Sequence, residues 1–302
     1  MIVVAGSANI DLVARVAHQP APGETLIADD YAVHQGGKGA NQAVAATRLG
    51  TPVRFIGAIG NDDFGRQILA GLTAEHIDTH SVSEVTGSSG LALITVDTAG
   101  ENSIVVVPGA NGQLTADAPA LDTGFDGARV ALVQLETPPS FVDAALASAR
   151  VHGAEVVLNA APAAPLEQFD MTNVDWLMVN AGEAAFVLGE AEGHSRAETE
   201  AHAATLVERY GVGVIVTLGG DGALWTEPNG DGGHVPGRTC DVVDTTGAGD
   251  TFAGAFAHAR AENLSIRAAI ETAVVAGALS VGRAGARAGM PTQAELAAAI
   301  AE

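Results

Sequence analysis

The residue types best suited to chemistry lie in one short run, V-D-T-T-G-A-G-D-T-F-A-G at positions 243–254. The preceding C-D-V-V-D (240–244) reads as a strand and T-F-A-G-A-F-A-H-A (251–259) as a helix, so a glycine turn leads into a helix N-terminus. Glycines there allow a ligand close to the backbone. The unpaired N–H groups of a first helical turn attract phosphate or a developing oxyanion. A carboxylate beside bound phosphate repels it, so Asp250 makes chemical sense facing an attacking hydroxyl, which it would orient or deprotonate. Taken alone, an Asp at a helix start is most often a cap. Three small residues, Gly247, Ala248 and Gly249, with Asp244 close by, are more than capping requires.

A second glycine cluster, H-Q-G-G-K-G-A-N-Q-A (34–43), opens another helical run. Lys38 is the only lysine of the chain, the other thirteen basic side chains being arginine. An ammonium and a carboxamide, Lys38 and Asn41, in a glycine turn suit a polyhydroxy ligand or a phosphate. No Ser or Thr follows Gly37-Lys38 and no glycine stands at P-loop spacing; G-A-G at 247–249 lacks the third glycine of a dinucleotide fingerprint. Further polar groups fall at expected strand ends: Asn9, Asp11, Glu136, Asn180 and Glu183. The carboxyl ends of strands in open α/β sheets form the ligand crevice. Singly, each of these residues reads equally well as a turn or cap, Asn180 above all. The nine histidines show no zinc-binding spacing.

Positioning these groups requires a scaffold. Short apolar, β-branched runs at 2–5, 53–58, 130–134, 155–158, 174–179 and 214–217 alternate with helical segments, the pattern of an α/β fold with parallel strands. Asp62 or Asp63 is suited to cap a helix carrying Phe64, Ile68 and Leu72, and Gly50 to stop the one carrying Val44 and Leu49. Ala-rich helices are expected from Gly249, Ser265 and Thr292, and N-G-D-G-G (229–233) as a tight turn. The stretches 11–34 and 90–108 each read as two strands and a turn without a helix between. They form either a small separate β-element or edge strands of the main sheet.

Composition narrows the partners. Thirty-six acidic against fourteen basic residues give a formal charge of −22, which repels a nucleic acid backbone. The single Cys240 allows no intrachain disulfide. No run approaches the roughly 18 apolar residues of a membrane helix, and a cytoplasmic protein is the expectation.

G-S-A-N-I-D (6–11), G-G-K-G-A-N-Q-A-V-A-A (36–46), Q-L-E (134–136), N-A-A-P-A (159–163), N-A-G-E (180–183), T-L-G-G-D-G (217–222) and D-T-T-G-A-G-D-T-F (244–252) together resemble the ribokinase family of PfkB carbohydrate kinases, in order and over the whole chain. The resemblance implies one domain over 1–302, a ribokinase-like three-layer α/β fold with a mostly parallel central sheet flanked by helices. A small β-lid, formed by about 11–34 and 91–107, would cover the sugar and make a homodimer. It implies transfer of the ATP γ-phosphoryl group to the 5-hydroxyl of D-ribose, with Asp250 as base and the N–H groups of Gly247, Ala248 and Gly249 as anion hole. By motif position the sugar ligands would be Asn9, Asp11, Gly37, Lys38, Gly39, Asn41 and Glu136. ATP would take Asn180, Thr217, Gly219, Gly220, Asp221, Gly222 and Gly249, with Glu183 acting on Mg2+ and phosphate. A monovalent cation, usually K+, would lie among Asp244, Thr246, Ser280, Arg283, Gly285 and Gly289. A relative acting on deoxyribose, fructose or adenosine is the alternative within the class; a sugar-binding protein without catalysis is the alternative outside it. Asp221 stands out, since an acidic side chain is no obvious partner for ATP.

Overall fold

In the computed structural model, residues 1–193 and 195–301 are described. The chain begins with β1 (Ile2–Ala5), β2 (Asn9–Arg15), β3 (Asp30–Gly36), α1 (Lys38–Arg48), β4 (Val53–Gly60) and α2 (Asp63–Ala74). It continues through β5 (Val82–Val85), β6 (Gly90–Val96), β7 (Asn102–Val107), α3 (Ala120–Thr123), β8 (Val130–Gln134), α4 (Pro139–Val151), β9 (Glu155–Asn159) and β10 (Trp176–Asn180). The C-terminal part comprises α5 (Ala181–Leu188), α6 (Arg196–Tyr210), β11 (Gly213–Thr217), β12 (Ala223–Thr226), β13 (Gly232–Val235), α7 (Ala248–Ala261), α8 (Ile266–Ser280), α9 (Ala286–Gly289) and α10 (Gln293–Ala301).

Nine strands make the central sheet in the order β13-β12-β11-β10-β9-β8-β1-β4-β5. All neighbours run parallel except the β11-β12-β13 meander. Side chains of the parallel strands alternate between two cores, as the two-residue period of a strand dictates. Ile2 and Val4 of β1 face a core with Val44 of α1, Phe256 of α7 and Ile270 of α8, while Val3 and Ala5 face one with Phe141 of α4, Ala184 of α5 and Leu206 of α6. This is the three-layer arrangement that the apolar runs predict.

The two helix-free stretches form a second sheet, not an edge of the first. Its order is β3-β2-β6-β7, with β2 antiparallel to β3, β6 antiparallel to β7, and β2 parallel to β6. Asn9 pairs with both Gly36 and Gly90. Asp62 caps α2, accepting from the Gly65 N–H at 2.7 Å, and Gly50 follows α1 with φ +99°. One expectation fails. Residues 240–244 belong to no strand; Val242 and Val243 are 64% and 62% exposed, and Val242 lines a cavity described below. Among the described residues no helix is long and apolar enough to cross a membrane.

Candidate active site

The turn after β1 and the start of α1 are interlocked. A Cβ at Gly39 would lie 2.7 Å from the Ser7 nitrogen and 2.9 Å from the Gly6 carbonyl carbon, and Gly37 adopts φ +86°. Only glycine allows that crossing of backbones. The Ala40 N–H donates to the Ser7 carbonyl at 2.9 Å, which ties the start of α1 to the end of β1. Glu136, just past β8, joins the same knot: its Oε2 accepts from the Ser7 hydroxyl at 2.5 Å and the Lys38 N–H at 3.0 Å.

Asp250 lies in the first turn of α7, yet it does not cap the helix. The N-cap is Gly247, in the left-handed conformation with φ 76°, and no side chain bonds the helix end. The Asp250 carboxylate instead points into α1, where Oδ2 accepts from Asn41 Nδ2 and Oδ1 from Gln42 Nε2, each at 3.1 Å. Burial pushes the carboxyl above the ordinary range, opposed by the Lys38 charge and by these two amides. Of the turn's N–H groups, that of Ala248 donates to the Thr245 carbonyl at 3.2 Å. Those of Gly247, Gly249 and Asp250 have no acceptor among the described residues, so the anion-binding capacity of the turn rests on its glycines more than on Ala248.

The small sheet contributes Asn9 and Asp11 of β2. Asn9 is buried, and its Oδ1 accepts from Asn111 Nδ2 at 2.7 Å. Asn111 in turn holds both the N–H and the carbonyl of Ala8. The Asp11 carboxyl packs so tightly on Gly36 that a Cβ there would come within 2.2 Å of its oxygen. Burial, then the Glu136 charge, raises Asp11 to about 6, with Arg287 opposing. The Asn9, Asp11, Gly37, Lys38, Gly39, Asn41, Glu136 and Asp250 groups thus come together from four separate parts of the chain.

A cleft of about 700 Å³ is lined by Asn180, Thr217, Gly219, Gly220 and Asp221 among others. Asn180 caps α5 and Glu183 completes the capping box: Asn180 Oδ1 accepts from the Glu183 N–H at 2.7 Å, and Glu183 Oε2 from the Asn180 N–H at 2.8 Å. The capping reading of Asn180 is therefore correct, and it is compatible with lining the cleft. Burial raises the Glu183 carboxyl, while Lys38 lowers it. The Lys38 charge thus lowers both carboxyls, Asp250 and Glu183. Asp221 is exposed, and its backbone carbonyl faces His234 Nε2 at 2.8 Å. A contiguous, mostly apolar cavity of about 220 Å³ runs between Gly220, Val242, Phe252, Gly277 and Val281. Gly220 is among the residues expected at ATP, whereas Val242, Phe252, Gly277 and Val281 were missed, because ordinary apolar residues carry no chemical signature.

The turn 244–246 is bound to the loop after α8. The Val243 and Asp244 N–H groups both donate to the Val281 carbonyl, and Asp244 Oδ2 accepts from the Gly285 N–H at 2.7 Å. Despite partial burial, hydrogen bonds from Thr246 and Gly285 hold the Asp244 carboxyl below its usual range. A carboxylate and backbone carbonyl oxygens are hard donors of the kind a hard cation takes, and Gly289 packs directly on the Ser280 carbonyl. The Arg283 side chain points away, to Glu295, so only its carbonyl is suited to such a site. Two further groups escaped sequence reasoning. Gln42 and Arg287 are the polar partners of Asp250 and Asn41; Gln42 was legible only as one residue beyond Asn41 in the glycine motif, and Arg287 as one arginine among thirteen.

The profile of the pfkB family carbohydrate kinases matches residues 1–293. This chain belongs to that family. It is 38% identical to a ribokinase of Schizosaccharomyces pombe over 98% of this chain and 96% of that one, and 36% identical to a deoxyribokinase of Salmonella typhimurium over 96% and 95%. Its fold superposes on a ribokinase of Arabidopsis thaliana complexed with ribose and ATP with a TM-score of 0.90 at 29% identity, covering 99% and 98% of the two chains. Membership makes the chain a carbohydrate kinase.

Proposed function

We propose that the protein transfers the γ-phosphoryl group of ATP to the 5-hydroxyl of D-ribose. The observation that carries this reading is the Asp250 carboxylate, buried, held by two amides and adjacent to unpaired N–H groups of a helix N-terminus. Phosphoryl transfer passes through a loose transition state, in which positioning and charge stabilisation supply most of the catalysis. Asp250 aims the hydroxyl and takes its proton; the N–H groups of Gly247 and Gly249, with a lesser part for Ala248, meet the charge on the transferring group. Asn9, Asp11 and Asn41 bind sugar hydroxyls, a carboxylate accepting and carboxamides doing both. Glu136 fixes the Gly37-Lys38-Gly39 turn from behind through Ser7 and the Lys38 N–H.

ATP occupies the cleft lined by Asn180, Thr217 and Gly219 to Gly222, with its base in the apolar cavity beside Val242 and Phe252. Asp221 faces solvent and leaves the phosphates alone. Glu183 is suited to hold Mg2+, since the N–H of Asn180 engages Oε2 and leaves the other oxygen for an ion or its water. Mg2+ would supply charge neutralisation on the phosphates. The residues around Asp244 suit K+, bound through carbonyls of Thr246, Ser280, Arg283, Gly285 and Gly289. The small sheet serves as the lid of the sugar site. Its outer face, with Tyr31, Leu93 and Val105 at 74%, 43% and 61% exposure, is where two copies pair.

The identity of a deoxyribokinase at 36% keeps deoxyribose as the second acceptor to consider. ATP consumption with Mg2+, measured against ribose, deoxyribose, fructose and adenosine with and without K+, separates the readings. Preferential turnover of ribose, raised by K+, is the expected result. Preference for deoxyribose would keep the mechanism and change the acceptor; ribose binding without turnover would refute catalysis.

A further inference from the structure

Arg287 lies in α9, between the candidate cation ligands Gly285 and Gly289 and remote in sequence from Asn9, Asp11, Asn41 and Asp250, yet its guanidinium reaches Asn41 and β3. Its Nε donates to Asn41 Oδ1 at 3.0 Å, one Nη to Gln35 Oε1 at 2.6 Å, and the other Nη to the Gly36 carbonyl at 3.3 Å. Its backbone is fixed too: Arg48, at the end of α1 and paired with Glu75, donates to the Arg287 and Met290 carbonyls. Every donor direction of the planar guanidinium that these bonds use ends on a group that shapes the sugar side of the site.

Two consequences follow from the acceptors. With Asn41 Oδ1 committed to Arg287, the Asn41 amide can only present Nδ2 to Asp250, which is the orientation observed. With Gln35 and the Gly36 carbonyl held, the inner end of β3 is fixed beside the Asp11 carboxylate, which rests on Gly36. The charges facing Asp250 are Lys38 of α1, Glu136 after β8, Asp11 of β2, Glu183 of α5 and Arg287 of α9. Three of those five are carboxylates; Lys38 opposes that charge at Asp250, and Arg287 opposes it at the neighbouring Asp11. Burial lowers Arg287 to about 10, which still leaves it cationic at neutral pH.

We propose that Arg287 is a positioning residue for phosphoryl transfer, orienting the Asn41 amide onto Asp250, anchoring β3 against the sugar, and offsetting with its charge the carboxylates that crowd the site. The inference rests on the proposed phosphoryl transfer, with Asp250 as base, but not on the identity of the sugar.

The test compares wild type, Arg287→Met and Arg287→Lys with saturating ATP and Mg2+, on whichever of the four acceptors wild type turns over fastest. Kcat is followed from pH 5 to 9 and thermal midpoints are recorded alongside. Arg287→Met is expected to lower kcat at least about tenfold, as a displaced reacting group does, and to move the acidic limb of the profile up by about one pH unit. Arg287→Lys keeps the charge and loses the fork, so it should return the limb to its wild-type position while kcat stays low. If Arg287→Met does not fold, Arg287→Gln, which can still donate to Asn41, must show the same upward limb. A wild-type kcat and limb in the neutral variants overturns the proposal. So does a lower kcat and melting point with an unmoved limb, which is the mark of a packing role alone. A wild-type protein that turns over no acceptor refutes the phosphoryl-transfer reading itself, and this inference with it.

Discussion

Replacing Asp250 by Asn changes little in shape and much in chemistry. The carboxylate accepts two amide hydrogen bonds, from Asn41 and Gln42, at 3.1 Å each. A carboxamide has one acceptor oxygen, so its NH2 must face one of these two donors whichever way it is turned. One hydrogen bond is lost and one buried donor is left unsatisfied, at about 1–3 kcal/mol. Removal of a buried charge, which burial disfavours at this position, offsets part of that loss. The folded protein therefore survives the substitution, with a modest change in melting temperature. Turnover behaves differently, because the Asn can neither accept the hydroxyl proton nor balance the charge on it. A positioned base contributes about 10²- to 10⁴-fold, which is about 3–5 kcal/mol of barrier. Asn9, Asp11 and Glu136 keep their own partners, so sugar binding by calorimetry should stay within a few-fold of wild type. A coupled ATP-consumption assay on folded variant is the measurement. Turnover within tenfold of wild type would refute the assignment of Asp250 as base.

Other outcomes are expected. The Asp11 carboxyl, at 3.8 when unperturbed, is raised to about 6, so the folded state binds its proton more tightly than the unfolded chain does. That favours folding at low pH, and the benefit is lost as pH rises from about 4 through 6. Asp11→Asn should accordingly be the more stable protein at pH 8, by at most about 3 kcal/mol, with the gap closing near pH 4; thermal melts across that range would contradict the burial argument if wild type were the more stable at pH 8. Gly39→Ala drives a methyl group into the Ser7 and Gly6 backbone, which should cost about 1–3 kcal/mol; an unchanged melting temperature would show that the crossing of the two loops is not tight. Leu93→Arg on the outer face of the lid sheet should convert a dimer into monomers in sedimentation experiments while leaving turnover per subunit within a few-fold. Wild-type protein sedimenting as a monomer would remove the lid as a dimer interface.

Much of the fold is written locally. The apolar runs that become β1, β4, β8, β9, β10 and β11 declare themselves by composition, because a strand covered on both faces has no polar side to show. The two helix-free stretches announce hairpins in the same way. Whether they join the main sheet or form their own was left open by the sequence, since pairing partners are chosen by contacts far apart in the chain. The run 240–244 shows the limit of local reading: its valines look like a strand, yet the run is in none, and Val242 instead lines the cavity beside Phe252.

The site divides similarly. Glycines at 37, 39 and 247, Lys38 and the carboxylates Asp11, Glu136 and Asp250 stand out because their residue types are unusual for the turns that carry them. Their identities and the reaction class they serve are properties of the sequence and of its resemblance to known kinases. The partners that give them their properties are not. Gln42 on Asp250, Asn111 on Asn9 and Arg287 on Asn41 are separated in sequence by 208, 102 and 246 residues. A hydrogen bond depends on a distance of about 3 Å, and only the packed sheet, α1 and α7 bring those atoms within it. Sequence alone determined which chemistry this chain can perform; the tertiary structure decided which side chains hold the Asp250 carboxylate in place, because hydrogen bonds and burial act through space and not along the chain.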